Sequence, residues 1–343
     1  MVSDVIYPWN KGGAEKRYHE VYRRLARKHD VHYFTMRYPG MKSDFRYKGI
    51  SVHAVSKGPS DLYTSSRRRI GPAIRFSILL FFSLMKYRFD IIDSNEFPHF
   101  PNISVKLYTI FYPKTRFYST WHEHWSFHYW LRYLGFFGGF IGFILQSISA
   151  KMPGKIISVS ENTKNDLIVS RAVANGRIFV IGNGIDYESI EEALSDYSPQ
   201  RGTIVFVGRL IPEKRVDLLI RLFEHINKTY PSTMLKIVGG GPEMENLKRI
   251  AGSESIEFTG YIESHIEVLK HIVGASAFVS MSEREGFNIS ALEACEMGVP
   301  TFARLVCFEH PNLHRLSPAN IEELENVLNS SVTPERRFNA AYS

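Results

Sequence analysis

The sequence predicts an α/β protein made of two doubly wound domains in succession. Three observations carry this. Short apolar runs alternate with longer amphipathic segments, first over residues 2–181 and again over 203–300, the pattern of parallel strands joined by helices. Between the blocks lies Asn183-Gly184, a turn signal, followed by an acidic stretch, Tyr187 to Gln200, that reads as linker. The length of 343 residues, 44% apolar and 22% charged, suits two globular domains with ample core material.

In the first block, Val2 to Tyr7 reads as a strand already under way, without the basic and then apolar pattern of a secretory leader. Ala14 to His29 is a helix with Tyr18, Val21, Tyr22 and Leu25 as its buried stripe. Gly12-Gly13 sits between the two, where a phosphate could meet free helix N–H groups, a place an ordinary turn would fill equally well. Val31 to Met36 and Ser51 to Val55 are further strands. Arg67-Arg68-Arg69 then precedes an apolar helix, Ile70 to Tyr87. Pro72 and Arg75 make it a poor membrane span, and it suits either a membrane interface or the core. Phe89 to Asp93 and Arg116 to Trp121 follow as strands.

The second of these ends in Trp121-His122-Glu123-His124-Trp125. A metal held by His122, His124 and His128 is disfavoured, because side chains at i and i+2 of an extended segment diverge and no closed ligand set is present. One polar histidine at a strand's carboxyl end is the better reading. From Arg132 to Lys151 there are 18 uncharged residues, the lower edge of a spanning helix. Its four glycines and Gln146, Ser147 and Ser149 weaken a span, and a span would part the strands on either side of it. An interfacial or acceptor-lining helix pair, monotopic at most, is expected for Leu131 to Ala150, with buried core as the alternative. Lys155 to Val159 is a strand, Ser160 caps a helix from Glu161 to Val169, and Ile178 to Ile181 closes the block.

In the second block, Thr203 to Val207 is a strand and Lys214 to Lys228 a helix. Arg209 and Lys214 share the loop between them and can converge on one diphosphate. Met234 to Val238 is a strand with a Gly239-Gly240-Gly241-Pro242 turn. Ile256 to Thr259 ends at Gly260-Tyr261-Ile262, and His265 to Val273 is a helix. Ala277 to Met281 is apolar enough for a buried parallel strand. An acidic turn, Glu285-Gly286-Phe287-Asn288, leads into a helix from Ile289 to Met297 that carries Glu293. Gly286 lets the backbone approach a ligand. Glu285 and Glu293 are too far apart to share a proton and suit two hydroxyl-rich parts of one long ligand. Ile321 to Leu328 is a last amphipathic helix.

Several stretches together resemble a known family: GGAE at 12–15, His122 after its strand, NGID at 183–186, VGRLIPEK at 207–214, VGGGPE at 238–243, FTGYI at 258–262 and EGFNISALEACEMGVP at 285–300. The ordered set is similar to the retaining nucleotide-sugar glycosyltransferases of glycosyltransferase family 4. The resemblance implies the GT-B fold, two Rossmann-like domains facing a central cleft. It implies an acceptor-binding domain over 1–182, a hinge over 183–200, a nucleotide-sugar domain over 201–318 and a C-terminal helix and tail over 319–343. Arg209 and Lys214 would hold the donor diphosphate, Glu285 the sugar hydroxyls and Glu293 the ribose. Gly260 and Tyr261 would cradle the base, and Gly286, Phe287 and Asn288 would line the donor site. Gly12 and Gly13 would lie near the diphosphate or the acceptor, and His122 would contact the transferring sugar. The resemblance also implies retention by front-face attack. It implies no metal, in keeping with the lack of any D-x-D in the sequence. After Pro300 the family's Gly-rich acidic turn is replaced by Thr301 to Glu309, without glycines.

Charge adds a partner. Residues 1–180 hold 27 basic and 12 acidic side chains, net +15, and the remainder 15 and 23, net −8. The basic half implies an anionic partner, and the chain lacks a nucleic-acid motif. Peripheral contact with an anionic membrane from the cytoplasmic side, and a lipid or glycan acceptor, fit better. Cys295 and Cys307 are too few for a disulfide framework. Other classes open at this point are a silent relative that binds sugar nucleotide or a membrane partner, and a same-fold epimerase or phosphorylase.

Overall fold

A computed structural model describes residues 1–10, 12–60, 63–64, 67–171, 173–317 and 321–329. The chain divides into two compact units, Met1–Asn183 and Gly184–Ser343.

The first unit runs α1 (Gly13–Leu25), β1 (His32–Arg37), β2 (Asp44–Tyr47), β3 (Ile50–Lys57), a short pair β4 (Tyr63–Thr64) and β5 (Arg67–Arg68), α2 (Ile70–Leu84), β6 (Ile91–Asn95), α3 (Phe100–Phe111), β7 (Arg116–Trp121), α4 (Phe127–Lys151), β8 (Lys155–Ser158), α5 (Glu161–Arg171) and β9 (Ile178–Val180). Strands β6 to β9 pair in parallel in that order, and β1 pairs in parallel with β3. Val2 joins the two sets by bridging Phe34 of β1 and Ser94 of β6. The strand expected over Val2 to Tyr7 is thereby reduced to this bridge. Beyond it, the carbonyls of Asp4 and Val5 accept hydrogen bonds from the Tyr38 and Tyr33 hydroxyls.

Helices α2, α3, α4 and α5 pack in succession, each on the next. Tyr18 and Tyr22 of α1 reach Asn95 and Asp93 of β6. Of the stripe expected on α1, Tyr18 is buried, but Val21 and Leu25 stay 38% and 41% exposed. They line a groove of about 770 Å³ with Ile91, Tyr118, Ile157 and Ile181. The helical period identified one face correctly, but no described element covers its lower half. Helix α3 is an element the sequence reading lacked.

Helix α4 is two helices meeting at Gly135, whose φ of 76° breaks the spiral. Trp130 of the first half fills the notch at Gly142 in the second, where a Cβ would lie 2.3 Å from the indole. The strands flanking α4, β7 and β8, pair directly through Tyr118 and Lys155. A span would have to part these paired strands, and the segment is a pair of helices.

The second unit runs α6 (Tyr187–Ser195), β10 (Gln200–Val207), α7 (Val216–Thr229), β11 (Met234–Val238), α8 (Met244–Ile250), β12 (Ile256–Gly260), α9 (His265–Gly274), β13 (Ala275–Ser280), α10 (Ile289–Glu296), β14 (Thr301–Ala303), β15 (Leu313–Arg315) and α11 (Ile321–Asn329). All six strands are parallel, in the order β12-β11-β10-β13-β14-β15. The chain reverses direction across the sheet between β10 and β13. That is where α/β sheets bind ligands at their carboxyl ends. The stretch expected as linker holds α6, which buries Ile190 and Ala193 in the core shared with α9. Of the tail expected over 319–343, residues 319–320 and 330–343 lie outside the described residues.

Candidate active site

In the second unit the loops after β10 and β13 meet at the reversal. The Glu283 N–H donates to the Glu213 carbonyl at 3.0 Å. Arg215, at φ 48°, pairs with Asp217 of α7 at 2.9 Å and Glu283 at 3.4 Å. This latching brings Lys214 Nζ within 2.5 Å of Glu285 Oε1, and the Ser282 hydroxyl donates to the same oxygen at 2.8 Å. Arg209 is exposed on the same loop as Lys214. Glu293 is buried on α10, and its Oε1 lies 3.1 Å from Nε2 of His265, the first residue of α9. The two glutamates thus have separate partners, Lys214 and His265.

The Gly-rich turn at 239–241 packs on the Arg209 loop. The Leu210 N–H donates to the Gly240 carbonyl and the Glu243 N–H to the Leu210 carbonyl, at 2.9 and 3.1 Å. A Cβ at Gly239 would lie 2.0 Å from the Gly208 carbonyl oxygen. These glycines serve contact between two loops. Gly260 and Tyr261 adjoin the turn: the Gly239 N–H donates to the Gly260 carbonyl at 2.9 Å, and Tyr261 is 63% exposed. Phe287 and Asn288 are committed to the protein. Phe287 is buried, stacked on Phe308. Asn288, at φ 63°, caps α10 by accepting from the Ala291 N–H. Next to Gly286, the Glu285 carbonyl faces the Cys307 thiol at 3.7 Å. The glycine-free stretch after β14 therefore braces the Glu285 turn from behind.

In the first unit the sheet changes direction at Val2 and β6. The carboxyl ends of β6 and β7 there carry a buried polar network. The Tyr18 hydroxyl donates to Asn95 Oδ1 at 3.0 Å and lies 3.0 Å from His122 Nε2. Glu96 Oε1 accepts the N–H groups of His122 at 3.0 Å and Glu123 at 3.4 Å, while Oε2 is buried without a partner. Burial lowers the His122 imidazole to about 3 and raises the Glu96 carboxyl to about 8, so both are neutral at pH 7. His124 turns the other way, toward Asp166 at 4.0 Å, and His128 is exposed. The three histidines diverge, and among the described residues no group of three metal-ligating side chains converges. Gly12 and Gly13 open α1, but a Cβ at Gly12 would lie 2.2 Å from Glu15 Oε2. The chain's own Glu15 carboxylate thus lies beside the helix start.

Tyr18, Asn95, Glu96, Ser282 and His265 were missed from sequence. Only Asn95-Glu96 left a signal, the end of a polar run, Asp93 to Glu96, that follows Ile91-Ile92.

Two Rossmann-like units of this kind, with the polar loops at their strand ends, define a GT-B glycosyltransferase fold. Solved structures agree on the fold. Anabaena HepE, crystallised with UDP, matches over 96% of this chain and 88% of its own at a TM-score of 0.65 and 15% identity. A sucrose-phosphate synthase from Thermosynechococcus elongatus matches over 92% and 83% at 0.70 and 17%. The model of "Glycosyltransferase Family 4" matches residues 11–189 and that of "Glycosyl transferases group 1" residues 191–308. The chain belongs to glycosyltransferase family 4.

Among curated relatives, a GDP-mannose-dependent phosphatidylinositol monomannoside mannosyltransferase of Mycolicibacterium smegmatis is 36% identical over 114 residues, 30% of either chain. A phosphatidylinositol N-acetylglucosaminyltransferase component of Arabidopsis thaliana is 27% identical over 154 residues, 44% of this chain and 34% of its own. The matched stretches span about a third of these relatives' lengths.

Proposed function

We propose that the chain transfers a sugar from a nucleoside-diphosphate sugar to a hydroxyl of a lipid or glycan acceptor, with retention and without a divalent metal. The observation that carries this is the Lys214–Glu285 contact at the reversal point of the second sheet, with Arg209 on the same loop and Glu293 buried on α10. A departing diphosphate needs fixed positive charge, and Lys214, Arg209 and the N–H groups at the start of α10 are placed to supply it. Glu285 fits the donor sugar's hydroxyls and Glu293, flanked by His265, the ribose. Tyr261 fits the base. In front-face transfer the departing phosphate takes the acceptor's proton, so no carboxylate need attack, unlike retaining glycosidases.

The names of the M. smegmatis and A. thaliana relatives support a lipid acceptor. So does the surface of α2, α3 and α4. Phe82, Ile110, Phe111, Phe136, Phe137 and Ile141 are each at least half exposed, on a half of the chain with net charge +15. Apolar side chains at the interface with basic residues around them suit peripheral binding to an anionic bilayer, from the cytoplasmic side.

A panel of UDP-, GDP- and ADP-sugars, each with chelator and no added metal, tests the reading. Stabilisation by one of them, absent in Glu293→Ala, together with slow release of nucleoside diphosphate, is the expected result. No binding by any of them moves the chain to the silent relatives.

A further inference from the structure

Which nitrogen of the His122 ring carries the proton decides whether the ring offers a ligand a donor or an acceptor. The answer is set two residues away. Asn95 Nδ2 donates to the Phe97 carbonyl at 2.8 Å, and a carbonyl can only accept. The amide is therefore oriented with Oδ1, which bears no hydrogen, toward the Tyr18 hydroxyl. That hydroxyl has one hydrogen and gives it to Asn95. Its oxygen is left as an acceptor 3.0 Å from His122 Nε2, so Nε2 must bear the ring hydrogen.

The alternatives are closed off. Tyr18 is 1% exposed, and burial beside Glu96 and Asp93 keeps its phenol protonated well above the usual range. A second proton on His122 is opposed by the same burial and by Arg17. The ring also packs edge-on against Tyr18, with centroids 5.3 Å apart. The Glu96 carboxyl fixes the backbone by accepting the His122 and Glu123 N–H groups. Nδ1 takes part in no hydrogen bond among the described residues, and it is not among the atoms sealed from solvent.

We propose that Tyr18, Asn95 and Glu96 are positioning residues that hold His122 as its Nε2–H tautomer, with Nδ1 an acceptor for a neutral hydroxyl of the substrate. A sugar or polyol hydroxyl can donate to Nδ1, whereas an ionised phosphate has no hydrogen to offer. The hydroxyl assignment rests on the proposed function, but the tautomer does not.

Protein labelled with ¹⁵N in its histidine rings tests the tautomer directly. Wild type should show His122 protonated at Nε2 and bare at Nδ1 between about pH 5 and pH 9, and Tyr18→Phe should give a mixture. A proton on Nδ1, or an imidazolium near pH 7, in the wild type overturns the proposal. Turnover tests the hydroxyl. His122→Asn sets an amide oxygen near the place of Nδ1, and His122→Gln keeps only a counterpart of Nε2–H. The former should keep about tenfold more activity, the worth of one buried hydrogen bond. Equal losses sink the role of Nδ1. Tyr18→Phe should lower kcat about tenfold at unchanged donor KM. If wild type turns over no nucleotide sugar, the proposed function fails while the spectrum still decides the tautomer.

Discussion

The two units hold their candidate residues by opposite means. In the second, half-buried or buried charges are latched by other charges: Lys214 on Glu285, Arg215 on Asp217 and Glu283. In the first, the groups at the corresponding place in the sheet are neutral and buried. His122 is kept from gaining a proton and Glu96 from losing one. The difference follows from what each end would bind. A diphosphate must be met by fixed positive charge, which stays mobile enough to change partners only near water. A hydroxyl needs direction, and a dry network of single-role donors and acceptors supplies it.

The sharpest way to break this contrast is to remove charge from the second unit. Lys214→Ala should lower nucleotide-sugar turnover by roughly 10²–10³, the usual worth of a group facing the departing charge, and Glu293→Ala, which removes the proposed ribose contact, by about tenfold. Retention of full turnover in both would mean that the latched charges are only structural. Next in size is Gly239→Ala. The added Cβ would press on the Gly208 carbonyl, so a loss of about 3–4 kcal/mol in denaturant unfolding is expected. The same substitution at Gly40, which has open space around it, should cost about 1 kcal/mol.

Glu96→Gln tests the neutral half. The carboxyl titrates near 8 when folded, against an ordinary value of 4.5. A raised folded value means that its contribution is intact below about pH 4.5 and is lost as pH rises through 8. Wild type and Glu96→Gln should therefore melt alike at pH 5. The variant should be more stable by about 4 kcal/mol at pH 9, a calorimetric difference that opens between pH 5 and pH 9. A constant difference across that range would show that Glu96 does not titrate there. The smallest effect is at the apolar surface. Phe136→Ser with Phe137→Ser should weaken binding to anionic vesicles about tenfold and leave nucleotide binding unchanged.

The second unit was the more legible from sequence. Its strands are short and parallel, the central ones largely buried, and each ends in a turn with its own signature. Met234–Val238 was located to the residue, and the Arg209, Glu285 and Glu293 stretches fell at the predicted ends. The first unit yielded its elements but not its network. Tyr18 reads as one more apolar residue of a helical stripe, and nothing local says that its hydroxyl meets Asn95, 77 residues away. The same limit explains Val21 and Leu25, because periodicity orders one helix and is silent about what lies opposite.

Gly135 also matters before the protein is folded. The stretch from Phe127 to Lys151 has the length and hydropathy of a membrane-crossing helix. During synthesis, insertion machinery that weighs such a segment as a whole would meet one close to its threshold. The break at this single residue divides it into halves that are each too short to cross. Pairing of β7 with β8 then ties both ends to one side. Gly135→Leu, which disfavours the break and adds apolar bulk, should raise the share of nascent chain threaded into a bilayer, read by glycosylation of a tag placed after the segment.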